Sequence, residues 1–191
     1  MHKKLPDIIR SENLSFGFYS IMLFAFFIVL PIKTMAQPVN VNALKAVFLF
    51  NFANFMEWPA SSFNDANEPI RYCTMENLRI HKNLLKVTHN EMVKGREFRL
   101  FVVNSMSEIE KEQCHLLFIG NSSLESHSIS LFALAKKNIL TVGESPDFLS
   151  MGGMLNLKHE NKRVKIEIGM DNVKNSQLGI SSKLLRLGIL K

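Results

Sequence analysis

The chain has 191 residues, with 23 Lys or Arg and 17 Asp or Glu, which gives a formal net charge of +6. Hydrophobic residues make up 47% of it, enough to bury a core and too many for a disordered chain. The basic residues are scattered, so the composition excludes a long Lys/Arg tract.

The first part of the chain has the layout of a secretory signal peptide. A basic start precedes an apolar run over residues 16–32, and Thr34-Met35-Ala36 supplies small residues for cleavage. An uncleaved membrane anchor is the alternative, because the run reaches the lower edge of the ~17–25 residues that span a bilayer. We expect residues 1–36 to be removed after Ala36. Residues 37–191 then form one periplasmic domain, without stable membrane insertion and without access to nucleic acid.

A helix is predicted from Asn42 to Glu57. Its apolar residues recur at steps of three and four, which places them on one stripe. Trp58-Pro59 ends it, since a residue before proline avoids the helical region.

Helices and strands alternate through the rest of the chain. Continuous apolar runs, as at 98–103, are typical of strands buried on both faces of a parallel sheet. The helix over 78–87 is expected to turn Leu78, Leu84 and Leu85 inward. The predicted order after the first helix is strand 70–74, helix 78–87, strands 98–103 and 116–119, helix 124–136, strands 139–142, 154–157 and 164–168, and a helical region 172–190 broken near Gly179. This order predicts an α/β fold: a single compact layered domain with a mixed, mostly parallel sheet flanked by helices, ending in a β-hairpin and a helix.

Two cysteines, Cys73 and Cys114, lie beside predicted strands. In an oxidising compartment such a pair suggests one disulfide, worth about 4 kcal/mol if it closes the intervening loop. Buried free thiols are the alternative, and no CxxC redox motif is present.

The polar turn Gly120, Asn121, Ser122 and Ser123 leads from a predicted strand into a predicted helix. Its backbone N–H groups could bind an anion or small ligand. Capping of the helix explains the same residues.

Motifs of catalysis are missing from the sequence. It contains no GxGxxG, P-loop, HExxH or GxSxG pattern. The five histidines of residues 37–191 lack metal-ligand spacing and are interpreted as surface or capping residues: His81, His89, His115, His127 and His159. We therefore expect no catalytic residue, no metal, no cofactor and no enzymatic activity. A periplasmic hydrolase is the weakest alternative.

Three ordered stretches carry a family resemblance: KAVFLFNFANFMEWP at 45–59, residues 148–168 with GGML followed by RVKIEI, and LGISSKLLRL at 178–187. Behind a signal peptide, this set resembles the YfiR family of periplasmic proteins. The resemblance implies a compact α/β domain, often a homodimer, that binds the periplasmic domain of an inner-membrane diguanylate cyclase and represses it. Cyclic di-GMP, exopolysaccharide and biofilm output would then be controlled by it. The resemblance also implies redox sensitivity, although the chain lacks a second cysteine pair near residues 146–153.

Apolar residues at the ends of elements are the predicted contacts for a partner. They are Trp58, Leu187, Ile189 and Leu190. The alternative is that they pack the domain's own core. A different function also stays open, that of a periplasmic small-ligand-binding sensor subunit serving a membrane kinase or transporter.

Overall fold

The computed structural model describes residues 40–75, 77–121, 129–161 and 163–191. The helices in these ranges are α1 (Val41–Phe55), α2 (Leu78–Val87), α3 (Met106–Lys111), α4 (Leu131–Lys136), α5 (Met170–Lys174) and α6 (Ser182–Leu187), with a 3₁₀ turn at Ala60–Ser62. The strands are β1 (Met56–Glu57), β2 (Ile70–Met75), β3 (Met92–Val93), β4 (Arg96–Val103), β5 (Leu116–Ile119), β6 (Leu140–Gly143), β7 (Leu155–Glu160), β8 (Arg163–Ile168), β9 (Gly179–Ile180) and β10 (Ile189–Leu190).

An eight-stranded sheet organises the domain, in the order β10-β8-β7-β6-β5-β2-β4-β3. Five neighbouring strands of this sheet are parallel to one another: β7, β6, β5, β2 and β4. By contrast, β7 and β8 form an antiparallel pair. The chain runs from β2 to β4 on one side and then crosses to β5 on the other side of β2. Such a reversal is the topological switch point of doubly wound sheets, whose ligands bind beyond the carboxyl ends of the strands.

Side chains from both faces of the sheet are buried, so the domain has three layers. On one face, Leu49 and Phe52 of α1 pack with Leu84 of α2. On the other, Ile109 of α3 and Leu134 of α4 pack in a second cluster. The expected layered α/β fold with a mixed, mostly parallel sheet is confirmed.

The C-terminal region differs from the prediction of a broken helix over 172–190. Helical structure is confined to α5 and α6, Gly179–Ile180 pairs with β1, and Ile189–Leu190 pairs with β8. Gly188 follows α6 with extended backbone, which ends the helix and lets the last residues join the sheet.

Three smaller expectations are also corrected. The first helix ends at Phe55, because the next two residues form β1. Leu78 and Leu85 are exposed, whereas Leu84 is buried as predicted, and Ile80 is the other buried residue of α2. The described part of the helix expected at 124–136 starts at Leu131, while residues 122–128 lie outside the described ranges.

Phe148 fixes the connection between β6 and β7. Its ring is buried, and Cβ atoms added at Gly143 or Gly153 would overlap it. Two glycines therefore let the backbone close around one aromatic ring.

Within the described ranges, no helix is both long enough and apolar enough to cross a membrane.

Candidate functional site

Cys73 and Cys114 form the disulfide that the sequence predicted. Cys73 lies in β2 and Cys114 just before β5, and these strands are neighbours in the sheet. The two Cα atoms are 5.8 Å apart, an ordinary separation for a disulfide. Both residues are buried in the core on the face of α3 and α4. The disulfide therefore links the neighbouring central strands β2 and β5 inside the core.

His115, next to this bridge, is a buried residue and not the surface or capping residue that we expected. It is 3% exposed, and its ring nitrogens both have partners. Nδ1 accepts the backbone N–H of Arg71 at 3.0 Å, so Nε2 carries the proton and donates to the carbonyl of Ser62 at 2.8 Å. Its ring also stacks on Phe63, with centroids 4.4 Å apart. These contacts fix the neutral tautomer.

The electrostatics around His115 favour that neutral form. Burial lowers the pKa of His115 to about 4; the hydrogen bond to Ser62 opposes the shift, and the charge of Arg71 adds to it. Burial would raise the pKa of Glu68, but the backbone N–H of Asn64 and the guanidinium of Arg71 outweigh it and hold that pKa below its ordinary value.

Trp58, a predicted partner contact, is half-buried beside the same histidine. Its indole Nε1 donates to the carbonyl of His115 at 3.2 Å, and the two rings meet edge to face. The position of Trp58 is thus tied to the residue that follows the disulfide.

The other three predicted partner contacts lie together at the end of the chain. Leu187 is 60% exposed, Ile189 43% and Leu190 55%. Leu187 is the last residue of α6, and the other two form β10 at one edge of the sheet. We call these three residues the C-terminal apolar patch.

A cavity of about 980 Å³ opens beyond the carboxyl ends of β5 and β6. Asn121 follows β5 and Glu144 follows β6, which brings both to this edge of the sheet. Contributions from α1, β7, β8 and the chain end complete the wall, among them Lys45, Asn156, Leu157, Glu167 and Lys191. The volume is that of a small-molecule site.

Charged groups in the wall are paired with one another. Lys45, buried on α1, forms an ion pair with Glu144. The other Glu144 oxygen accepts the backbone N–H of Asn121 at 3.3 Å. One backbone N–H of the polar turn, that of Asn121, therefore already donates to a carboxylate and is not free for an anion. Gly120 is buried, while Ser122 and Ser123 lie outside the described residues.

Asn156 is the most unusual polar residue of the cavity. It is 1% exposed, and its Nδ2 donates to Glu167 at 3.2 Å. Its Oδ1 has no hydrogen-bond partner among the described residues. A buried amide oxygen without a donor is costly, typically about 1–3 kcal/mol. This oxygen is itself buried, so it does not face the open part of the cavity.

Asn121 was predicted from the sequence as a possible ligand contact, whereas Lys45, Glu144, Asn156 and Glu167 were not. A signal existed for Lys45, which is spaced with Leu49 and Phe52 along the buried stripe of α1. A charge on an apolar stripe needs a buried partner. The sequence does not indicate Glu144 as the partner, because Glu144 is 99 residues from Lys45 in the chain.

Across the described ranges, no three His, Cys, Asp or Glu side chains are grouped closely enough to hold a metal ion.

A family model described as YfiR/HmsC-like matches residues 42–189. A search of curated proteins found no match.

Proposed function

Because the chain belongs to the YfiR/HmsC-like family, whose members are periplasmic regulators of cyclic di-GMP signalling, we propose that it represses an inner-membrane diguanylate cyclase. It would bind the periplasmic domain of the cyclase and hold the cytoplasmic catalytic domain inactive. The observation that carries this proposal is the family match, which covers nearly the whole described domain. Exopolysaccharide and biofilm output would follow the cyclic di-GMP level.

The C-terminal apolar patch supports a binding role. Exposed apolar side chains at the end of α6 and on the edge strand β10 are of the kind that docks a partner. The bridged core next to Trp58 would keep a second apolar contact rigid.

The direct test measures intracellular cyclic di-GMP in a deletion strain, its parent and a strain that re-expresses the exported protein. We expect a rise on deletion that re-expression reverses. An unchanged level, with the protein detected in the periplasmic fraction of the parent, contradicts repression.

A matched pair of variants tests the surface. Leu190→Glu changes the C-terminal apolar patch, whereas Leu78→Glu changes a similarly exposed leucine on α2. We expect the first variant to lose repression and the second to keep it at equal periplasmic abundance. Equal repression by both variants would show that the C-terminal apolar patch does not contact the partner.

A second candidate function is a small-ligand-binding sensor subunit serving a membrane kinase or transporter. The cavity beyond β5 and β6 favours it, since a volume of about 980 Å³ is that of a small-molecule site. A deletion that leaves cyclic di-GMP unchanged but alters the output of a neighbouring kinase or transporter would favour this function over repression.

A further inference from the structure

We propose that the outer face of α2, formed by Leu78, Arg79, Lys82, Leu85 and Lys86, binds the surface of an anionic phospholipid bilayer. This inference goes beyond repression of a cyclase and rests only on the periplasmic location of the family. Two features of the helix carry it: a set of exposed basic side chains, and two exposed leucines on the same side.

The leucines of the outer face lie on one stripe of the helix. Leu78, Lys82 and Leu85 follow one another at steps of four and three residues, which brings their side chains together on one side of α2. Ile80 and Leu84 form the opposite side and pack in the core. The stripe therefore points to solvent, and Leu78 is 60% exposed and Leu85 50%.

The charge of α2 is entirely positive. The helix contains Arg79, Lys82 and Lys86 and no acidic residue, and all three basic residues are exposed. Within the described ranges, none of the three forms an ion pair with an acidic side chain. At an anionic lipid surface, each such residue strengthens binding roughly fivefold.

The combination of positive charge and exposed leucines favours a bilayer as the occupant. A lysine carries its charge at the end of an apolar stem, so it can reach lipid phosphates while neighbouring leucines enter the boundary of the acyl chains. A second copy of the chain is a poor occupant, because a two-fold contact through this face would bring the same positive charges together.

The outer face of α2 is separate from the C-terminal apolar patch. The helix packs beside β4, near one end of the sheet, whereas β10 is the strand at the opposite edge. A bilayer on α2 would therefore leave the patch accessible. A cyclase holds its bound partner at the membrane by itself, so we expect loss of the α2 contact to leave repression unchanged, as stated for Leu78→Glu.

Co-sedimentation with large unilamellar vesicles tests the proposal. The protein is purified from the periplasmic fraction, and the vesicles consist of phosphatidylcholine alone or of an equimolar mixture with phosphatidylglycerol. We expect saturable binding to the mixed vesicles that weakens as salt is added, and much weaker binding to phosphatidylcholine alone. Absence of binding to the mixed vesicles would overturn the proposal.

Two matched pairs of charge variants locate the contact. Lys82→Gln combined with Lys86→Gln should weaken vesicle binding by roughly tenfold or more. Lys111→Gln combined with Lys136→Gln removes the same charge from α3 and α4, on the other face of the sheet, and should change binding little. An equal loss in both pairs would show attraction by net charge alone and would refute a surface on α2.

The leucines are tested separately. Leu85→Gln should weaken the binding that persists at physiological salt, whereas Phe132→Gln, at a similarly exposed position on α4, should not. Equal binding by the two variants would refute the apolar contact. A dimer in solution that the α2 variants dissociate would also overturn the proposal, because a second copy would then cover the face. None of these results bears on the cyclic di-GMP test.

Discussion

Replacing His115 by Gln should remove a pH dependence from the stability of the domain. His115 is buried and neutral, with Nδ1 accepting from Arg71 and Nε2 donating to Ser62. A glutamine side chain offers one oxygen acceptor and one N–H donor for the same two partners, and it does not titrate. The exposed His89 provides a matched control, His89→Gln.

The magnitude follows from the two pKa values of His115. Its pKa is about 4 in the folded protein, against an ordinary value of 6.5 in the unfolded chain. Between these values the unfolded chain binds a proton that the folded protein does not, so the stabilising contribution is complete above pH 6.5 and is lost as pH falls toward 4. From pH 7 to pH 5 the loss amounts to about 2 kcal/mol.

Urea unfolding followed by circular dichroism at pH 7, 6 and 5 measures this loss. That window lies above the titration of the carboxylates, so the lowered pKa of Glu68 contributes little to it. We expect the free energy of unfolding of the parent protein and of His89→Gln to fall by about 2 kcal/mol more than that of His115→Gln. An equal fall in all three proteins would refute the reasoning that burial keeps His115 neutral.

Three further predictions concern stability. Replacing Cys73 and Cys114 together by Ala should cost about 4 kcal/mol, since the unfolded chain gains the freedom of the opened loop, and a urea midpoint no lower than that of the oxidised parent would contradict it. Gly153→Ala should cost roughly 1–3 kcal/mol because the added methyl group overlaps the ring of Phe148; an unchanged melting temperature would show that the ring moves freely. Leu184→Ala should cost about 2–5 kcal/mol, as this side chain of α6 is fully buried, and calorimetry showing a loss below 1 kcal/mol would place it outside the core.

The parallel sheet was predictable because its strands carry their own signature. Residues 116–119 form a short continuous apolar run, which is typical of a strand buried on both faces. The disulfide was predicted because the chain has two cysteines and was expected in an oxidising compartment. The strand at Ile189–Leu190 could not be found in this way, since its sequence is equally suited to a helix and only its pairing with β8 decides the matter. Local patterns do not encode such tertiary pairings.

The cavity was even less predictable from local sequence patterns. Its wall is assembled from α1, β7, β8 and the turns after β5 and β6, which are far apart in the chain. Asn121 was visible as part of a polar turn at a strand end. In the sequence, Asn156 is an ordinary residue of a strand. Its burial, and the lack of a hydrogen-bond donor for its Oδ1 among the described residues, arise only when β7 is placed between β6 and β8.

The short pairing of β1 with β9 bears on the order in which the domain can fold. Met56, directly after α1, pairs with Ile180, which lies far along the chain. Bringing two such distant segments together costs more chain entropy than forming contacts between neighbours in the sequence. We therefore expect the β1–β9 pair to form late in folding, so that the end of α1 lacks its final neighbours until the rest of the domain is in place.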